Sequence, residues 1–222
     1  MDLMNLLKSV EELLYELVSW LLFYPLTFWR IVRHPIRMMA YAEAELAADP
    51  KSRYGAALSP PIFLFLTLLI AHLFELRFGL PTRELTGAMA DQRNLLLFRA
   101  VVFSLFPLMM AVQRVRRLDQ KLTRETLRPA FYSQCYAAGP FALSFDLAMT
   151  SVRYATPEAV MATVAILGAG FVWYVAVETR WFALHASVGH GTAFLRVLAT
   201  VLVGALLFIL IALAMASFVA PL

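Results

Sequence analysis

The sequence predicts an all-α protein, an integral membrane helical bundle of about five transmembrane helices preceded by an N-terminal amphipathic interfacial helix. Three observations carry this prediction. The chain of 222 residues is 61% apolar and only 15% charged, against about 45–50% and about 25% in an ordinary soluble domain. A chain this short hides only part of that excess in a core, and its mean hydropathy is +0.72. The apolar residues are also gathered into runs of about 20, the length that crosses a hydrocarbon layer of about 30 Å.

Residues 2–23 read as the amphipathic helix. Asp2, Asn5, Lys8, Ser9, Glu12, Glu16 and Ser19 fall at the three-to-four spacing of one helical stripe, and Leu3, Leu6, Leu7, Val10, Leu13, Leu14, Leu17, Trp20 and Leu21 fill the opposite face. A polar stripe of this length argues against a span. It suits a helix lying in the membrane interface or packed on protein, and the sequence does not separate the two. Nor does it read as a secretory signal, because Asp2 comes first and Glu11, Glu12 and Glu16 interrupt the apolar run. Pro25 and Pro35 are expected to end or kink helices. Between and beyond them Phe28, Trp29, Ile31 and Val32 alternate with Arg30, Arg33, His34 and Arg37, the mixture of an interfacial segment. The polar stretch Glu43–Arg53 is expected as a linker, which divides the chain into residues 1–58, interfacial, and residues 59–222, the membrane domain.

Five spans are expected at Ser59–Phe78, Asn94–Val112, Ala130–Val152, Glu158–Leu184 and Phe194–Val219. Prolines 60 and 61 are tolerated in the first turn of the first span. Arg99 and Asp146 interrupt the second and third, so four spans with one re-entrant segment is the alternative. The connection Gln113–Pro129 holds Arg114, Arg116, Arg117, Lys121, Arg124 and Arg128 against Asp119 and Glu125, and Arg180 and Arg196 flank the connection after the fourth span. The loops Gly79–Arg93 and Arg153–Pro157 carry no basic cluster. By the positive-inside rule the N-terminus lies inside and the C-terminus outside, as in a bacterial inner membrane.

Ionisable groups at membrane depth are the natural functional candidates. Arg99 near the start of span two and Asp146 late in span three face the same outer side. They can form an ion pair, and a structural pair is the simpler reading beside an ion or proton pathway. His72 and Glu75 share a face of span one, but two groups do not make a metal site, and His185 and His190 point to different faces. No metal site or cofactor is expected. Glu178 and Arg180 are expected as anchors with a local ion pair near the inner interface. Cys135 reads as a small buried hydrophobe and excludes an internal disulfide. The net charge of +4 includes no block suited to nucleic acid. Hydrolase, phosphate-loop and zinc-protease motifs are missing. Gly168-Ala-Gly170, Gly204-Ala205 and the Ala212, Ala214, Ala216 series read as helix-packing seams.

Pro25-Leu-Thr-Phe28 followed by Pro35, and the run Thr126-Leu-Arg-Pro-Ala-Phe-Tyr132 leading to Cys135-Tyr136 and Gly139-Pro140, resemble segments of the Yip (Ypt-interacting protein) family of five-span membrane proteins. These segments cover about 30 residues, while the similarity of topology covers most of the chain. The resemblance implies an inside N-terminal region, five crossings and a short outside C-terminus, and it implies no catalytic residues. The functional expectation is a non-enzymatic scaffold or accessory subunit of a membrane assembly. Its cytoplasmic face, including Arg114, Arg116, Arg117, Lys121, Arg124 and Arg128, would contact protein partners or further copies. The alternative is a small transporter or channel subunit with a polar path around Arg99 and Asp146. A membrane enzyme using His72, His185 and His190 would require bound metal.

Overall fold

The computed structural model describes residues 3–49, 53–78, 92–185 and 188–219. Most of the expected outer loop Gly79–Arg93 lies outside the described residues. Among those described, the chain is entirely helical, in seven helices: α1 Leu3–Arg33, α2 Pro35–Ala47, α3 Pro60–Phe78, α4 Gln92–Arg117, α5 Arg124–Val152, α6 Pro157–His185 and α7 His190–Val219. Four of them (Pro60–Phe78, Leu96–Arg117, Pro157–His185 and His190–Ala214 in their apolar parts) are long and apolar enough to cross a membrane.

Two local expectations are corrected. Pro25 does not end α1, which continues from Leu3 to Arg33. Proline has no N–H to return to the carbonyl of Leu21, and both residues are exposed, so the break falls on the outside of the helix rather than in a packed seam. Pro35 does punctuate the chain, as the first residue of α2 after His34. The expected linker Glu43–Arg53 begins as helix, since α2 runs to Ala47.

The connection Gln113–Pro129 is also mostly helical. α4 persists to Arg117, with Arg114, Arg116 and Arg117 in its last turn, where cations offset the helix dipole. Thr123 then caps α5 through a reciprocal box with Thr126. Arg114, Arg116 and Arg117 therefore sit on one helix end and Arg124 and Arg128 on the other, with Lys121 between them beyond a turn in which Asp119 takes a positive φ of 51°.

The second half of α1 is clamped to the bundle. Trp20, Phe23, Tyr24 and Phe28 pack around Ile31, Phe63 and Tyr136. Arg30 donates to the Ala56 carbonyl at 2.6 Å, Thr27 accepts from the Leu58 N–H at 3.2 Å, and Tyr24 donates to Thr67 Oγ1 at 3.2 Å. Residues 30, 27 and 24 thus meet 56, 58 and 67 in turn, so α1 runs antiparallel to the start of α3. In the first half, every residue from Lys8 to Val18 is exposed.

α5 is the hub, packing against α1, α2, α3, α4 and α6. Small residues let its neighbours approach. A Cβ on Gly139 would overlap the Phe63 ring of α3, and one on Gly170 of α6 would overlap the Ser144 side chain of α5. Gly204 of α7 is likewise filled by Phe106 of α4, at 2.9 Å from where a Cβ would stand, whereas Gly168 faces open space. The core continues through Met39, Met110, Tyr174, Trp181 and Val197, all at most 1% exposed, with Phe141 stacked on Tyr174 at a centroid distance of 4.9 Å.

Candidate functional site

Polar groups gather at the two ends of the bundle. At one end, α3 brings His72 and Glu75, α4 brings Arg99, and α5 brings Asp146 and, just past its last residue, Arg153. Glu75 accepts from Arg99 and from Arg153 Nη2 at 2.6 Å. One carboxylate therefore joins three helices. Asp146 is only 7% exposed and lies within electrostatic reach of Arg99 and Glu75. Its Oδ2 makes no hydrogen bond among the described residues. The partner of Arg99 is thus Glu75 rather than Asp146. The cause is geometric: α3 and α4 pack against each other with Glu75, late in α3, beside Arg99, early in α4. Tyr154 adds a tie across the same end by donating to the Phe78 carbonyl.

His72, 5% exposed, completes this cluster, and its Nδ1 has no hydrogen-bond partner among the described residues. Neither it nor the other histidines belong to a metal-capable group of three or more His, Cys, Asp or Glu among the described residues. His185 instead stacks on Trp181 at a centroid distance of 3.7 Å and approaches the Trp181 carbonyl through Nδ1 at 3.1 Å.

At the basic end, Arg114 turns inward. It donates through Nη2 to Glu43 Oε2 of α2 at 3.0 Å and lies 5.3 Å from the centre of the Trp181 ring. Glu178 departs from its expected role as an interfacial anchor, because the α6 face that carries it is pressed against α5. It is fully buried, as is Gln134, and both of its carboxylate oxygens lack hydrogen-bond partners among the described residues. Tyr136 is bonded across the core, its hydroxyl donating to the Leu58 carbonyl at 2.6 Å.

The other basic residues face outwards. Arg116, Arg117, Lys121, Arg124 and Arg128 are exposed, with Arg128 held over the Tyr132 ring at 5.3 Å. Tyr54 closes this end in a left-handed conformation, φ 59°, its N–H donating to Glu45 Oε2 at 2.5 Å. Burial, and after it the nearby Tyr132 and Glu45, raise the Tyr54 phenol above its ordinary value.

Arg153, Glu43 and Gln134 were not singled out by the sequence. Gln134 carried a usable signal, as a polar residue inside an apolar run. Glu43 and Arg153 lie in polar stretches, where a carboxylate or a guanidinium is unremarked until its partner is known. The two polar clusters are separated along α5 by buried Ala137, Ala138, Phe141 and Ala142. No family model, no curated protein and no solved structure matches the chain, so the resemblance to the Yip family rests on the motifs quoted above.

Proposed function

We propose that this is a non-enzymatic membrane protein that works by contact, with five spans, its basic end inside, and the free half of α1 as its docking element for a protein partner in a membrane assembly. One observation carries the reading. Val10, Leu13, Leu14, Leu17 and Leu21 form a continuous apolar stripe and are 44–79% exposed, on a helix whose other half is fixed to the bundle. A rigid arm with an uncovered apolar face is suited to laying that face in a groove of another protein.

The charge of the arm favours protein over lipid. Interfacial helices carry lysine and arginine on the polar face, whereas residues 2–23 carry Asp2, Glu11, Glu12 and Glu16 against Lys8 alone. Carboxylates are repelled by an anionic membrane surface and attracted by a basic rim around an apolar groove. The transport reading is less well supported, because a path from Asp146 to Glu178 would have to pass the Phe141–Tyr174 stack and its buried alanines.

A photocrosslinking residue placed at Leu14, and in a second sample at Glu12, tests the reading in intact cells. The expected result is an adduct with one identified protein from Leu14, weaker from Glu12, and lost when Leu13 and Leu17 are changed to Ser. Adducts only to lipid, only to a second copy of the chain, or to nothing would each overturn it.

A further inference from the structure

We propose that the groove between α4 and α7 binds an anionic phospholipid, with the headgroup phosphate held by Arg116, Arg117 and Arg196 and an acyl chain laid between the two helices. The groove has a volume of about 630 Å³ and is walled by Leu108, Met109 and Val203 below those three arginines. Leu108 and Arg116 are eight residues apart on one helix, so the apolar walls reach about 12 Å below the charges. That is the layout a phospholipid presents, with charge at the interface and hydrocarbon beneath it.

Charge complementarity identifies the occupant. None of the guanidinium groups of Arg116, Arg117 and Arg196 is part of an ion pair among the described residues, although Asp119 and Glu125 belong to the same connection. Arg114, one turn away, shows the contrast by being bound to Glu43. Free arginines beside an apolar groove at the membrane surface are the chemistry that recognises anionic headgroups. The construction recurs on the other flank of α4, where Arg124 and Arg128 stand over a second groove of about 690 Å³ shared with α5. This site is independent of whatever covers the arm of α1.

Native mass spectrometry of the full-length protein in detergent tests the assignment, with phosphatidylglycerol, phosphatidylcholine and inorganic phosphate as separate probes. Each arginine near an anionic headgroup is worth about a fivefold change in affinity. The triple variant R116Q/R117Q/R196Q is therefore expected to weaken phosphatidylglycerol binding on the order of a hundredfold, with R33Q/R37Q as the unaffected control. Ala199→Phe, which fills the groove and leaves the arginines in place, is expected to weaken the lipid and not inorganic phosphate. Circular dichroism melting identifies variants that fail to fold, and Ala199→Phe and the triple variant serve as independent checks on each other. Equal binding of phosphatidylcholine, unchanged binding by both folded variants, or displacement of the lipid by equimolar phosphate would overturn the proposal.

Discussion

Glu75→Gln isolates the group on which one end of the bundle depends. Its carboxylate holds both Arg99 and Arg153. The Arg99 and Glu75 side chains keep 16% and 14% of their exposure, whereas Arg153 keeps 31%. Removing one partner of a buried pair costs about 3–5 kcal/mol, because the remaining charge is left uncompensated. Residual exposure and the hydrogen bond that Gln still accepts bring the expected loss to about 2–3 kcal/mol. The more exposed Arg153 bond adds no more than about 1 kcal/mol. Reversible unfolding in mixed micelles, followed by circular dichroism, gives the stability, and a double-mutant cycle with Arg99→Leu gives the coupling. Glu75 and Arg99 should couple by about 2 kcal/mol and Asp146→Asn with Arg99 by less than about 1 kcal/mol. Replacing both Glu75 and Arg99 by Leu should return stability close to the starting value, since an apolar pair needs no desolvation. A larger coupling for Asp146 than for Glu75 would refute the assignment of Arg99's partner.

Four further substitutions are read by thermal unfolding in detergent. Gly139→Ala should destabilise by about 1 kcal/mol, because overlap with Phe63 outweighs the helical preference for Ala; Gly168→Ala, facing open space, should be neutral or stabilising. Tyr136→Phe should lose about 1–3 kcal/mol by leaving the buried Leu58 carbonyl without its donor, and an unchanged midpoint would contradict that bond. Ala155→Gly should stabilise by up to about 1 kcal/mol, since Ala155 holds a φ of 52° that glycine adopts without a Cβ clash.

The helices were legible in the sequence because apolar runs and their breakers are local properties. The expected span Ser59–Phe78 differs from α3 by one residue at its start, and Glu158–Leu184 from α6 by one residue at each end. What failed was local chemistry decided by a distant neighbour. Pro25 was expected to end or kink a helix, yet α1 runs on through it to Arg33, with Leu21 and Pro25 both exposed. The basic connection was read as a loop because charge marks where hydrocarbon ends, and α4 and α5 simply continue beyond that point. The pairing of Arg99 went wrong for a related reason. Sequence places Glu75, Arg99 and Asp146 at one end of the bundle, but the choice of partner depends on how each helix is rotated about its own axis.

α5 shows why hydropathy and membrane depth part company inside a bundle. The four apolar helices follow an order: α7 is the most apolar and the least buried, α6 comes next, and α4 and α3 are the least apolar and the most buried. The less of a helix lipid touches, the less apolar it needs to be, because lipid selects only the residues it meets. α5 extends this order. It packs against five other helices and buries Ser133, Gln134, Asp146 and Thr150, which lower its hydropathy without exposing a polar group to lipid. At 29 residues its length is about 43 Å, enough to cross. A helix that carries α4's basic end to the start of α6 on the opposite side is what the antiparallel packing of all three requires. The same residues that weaken α5 as a span in the sequence are therefore the ones that suit it to the centre of the bundle.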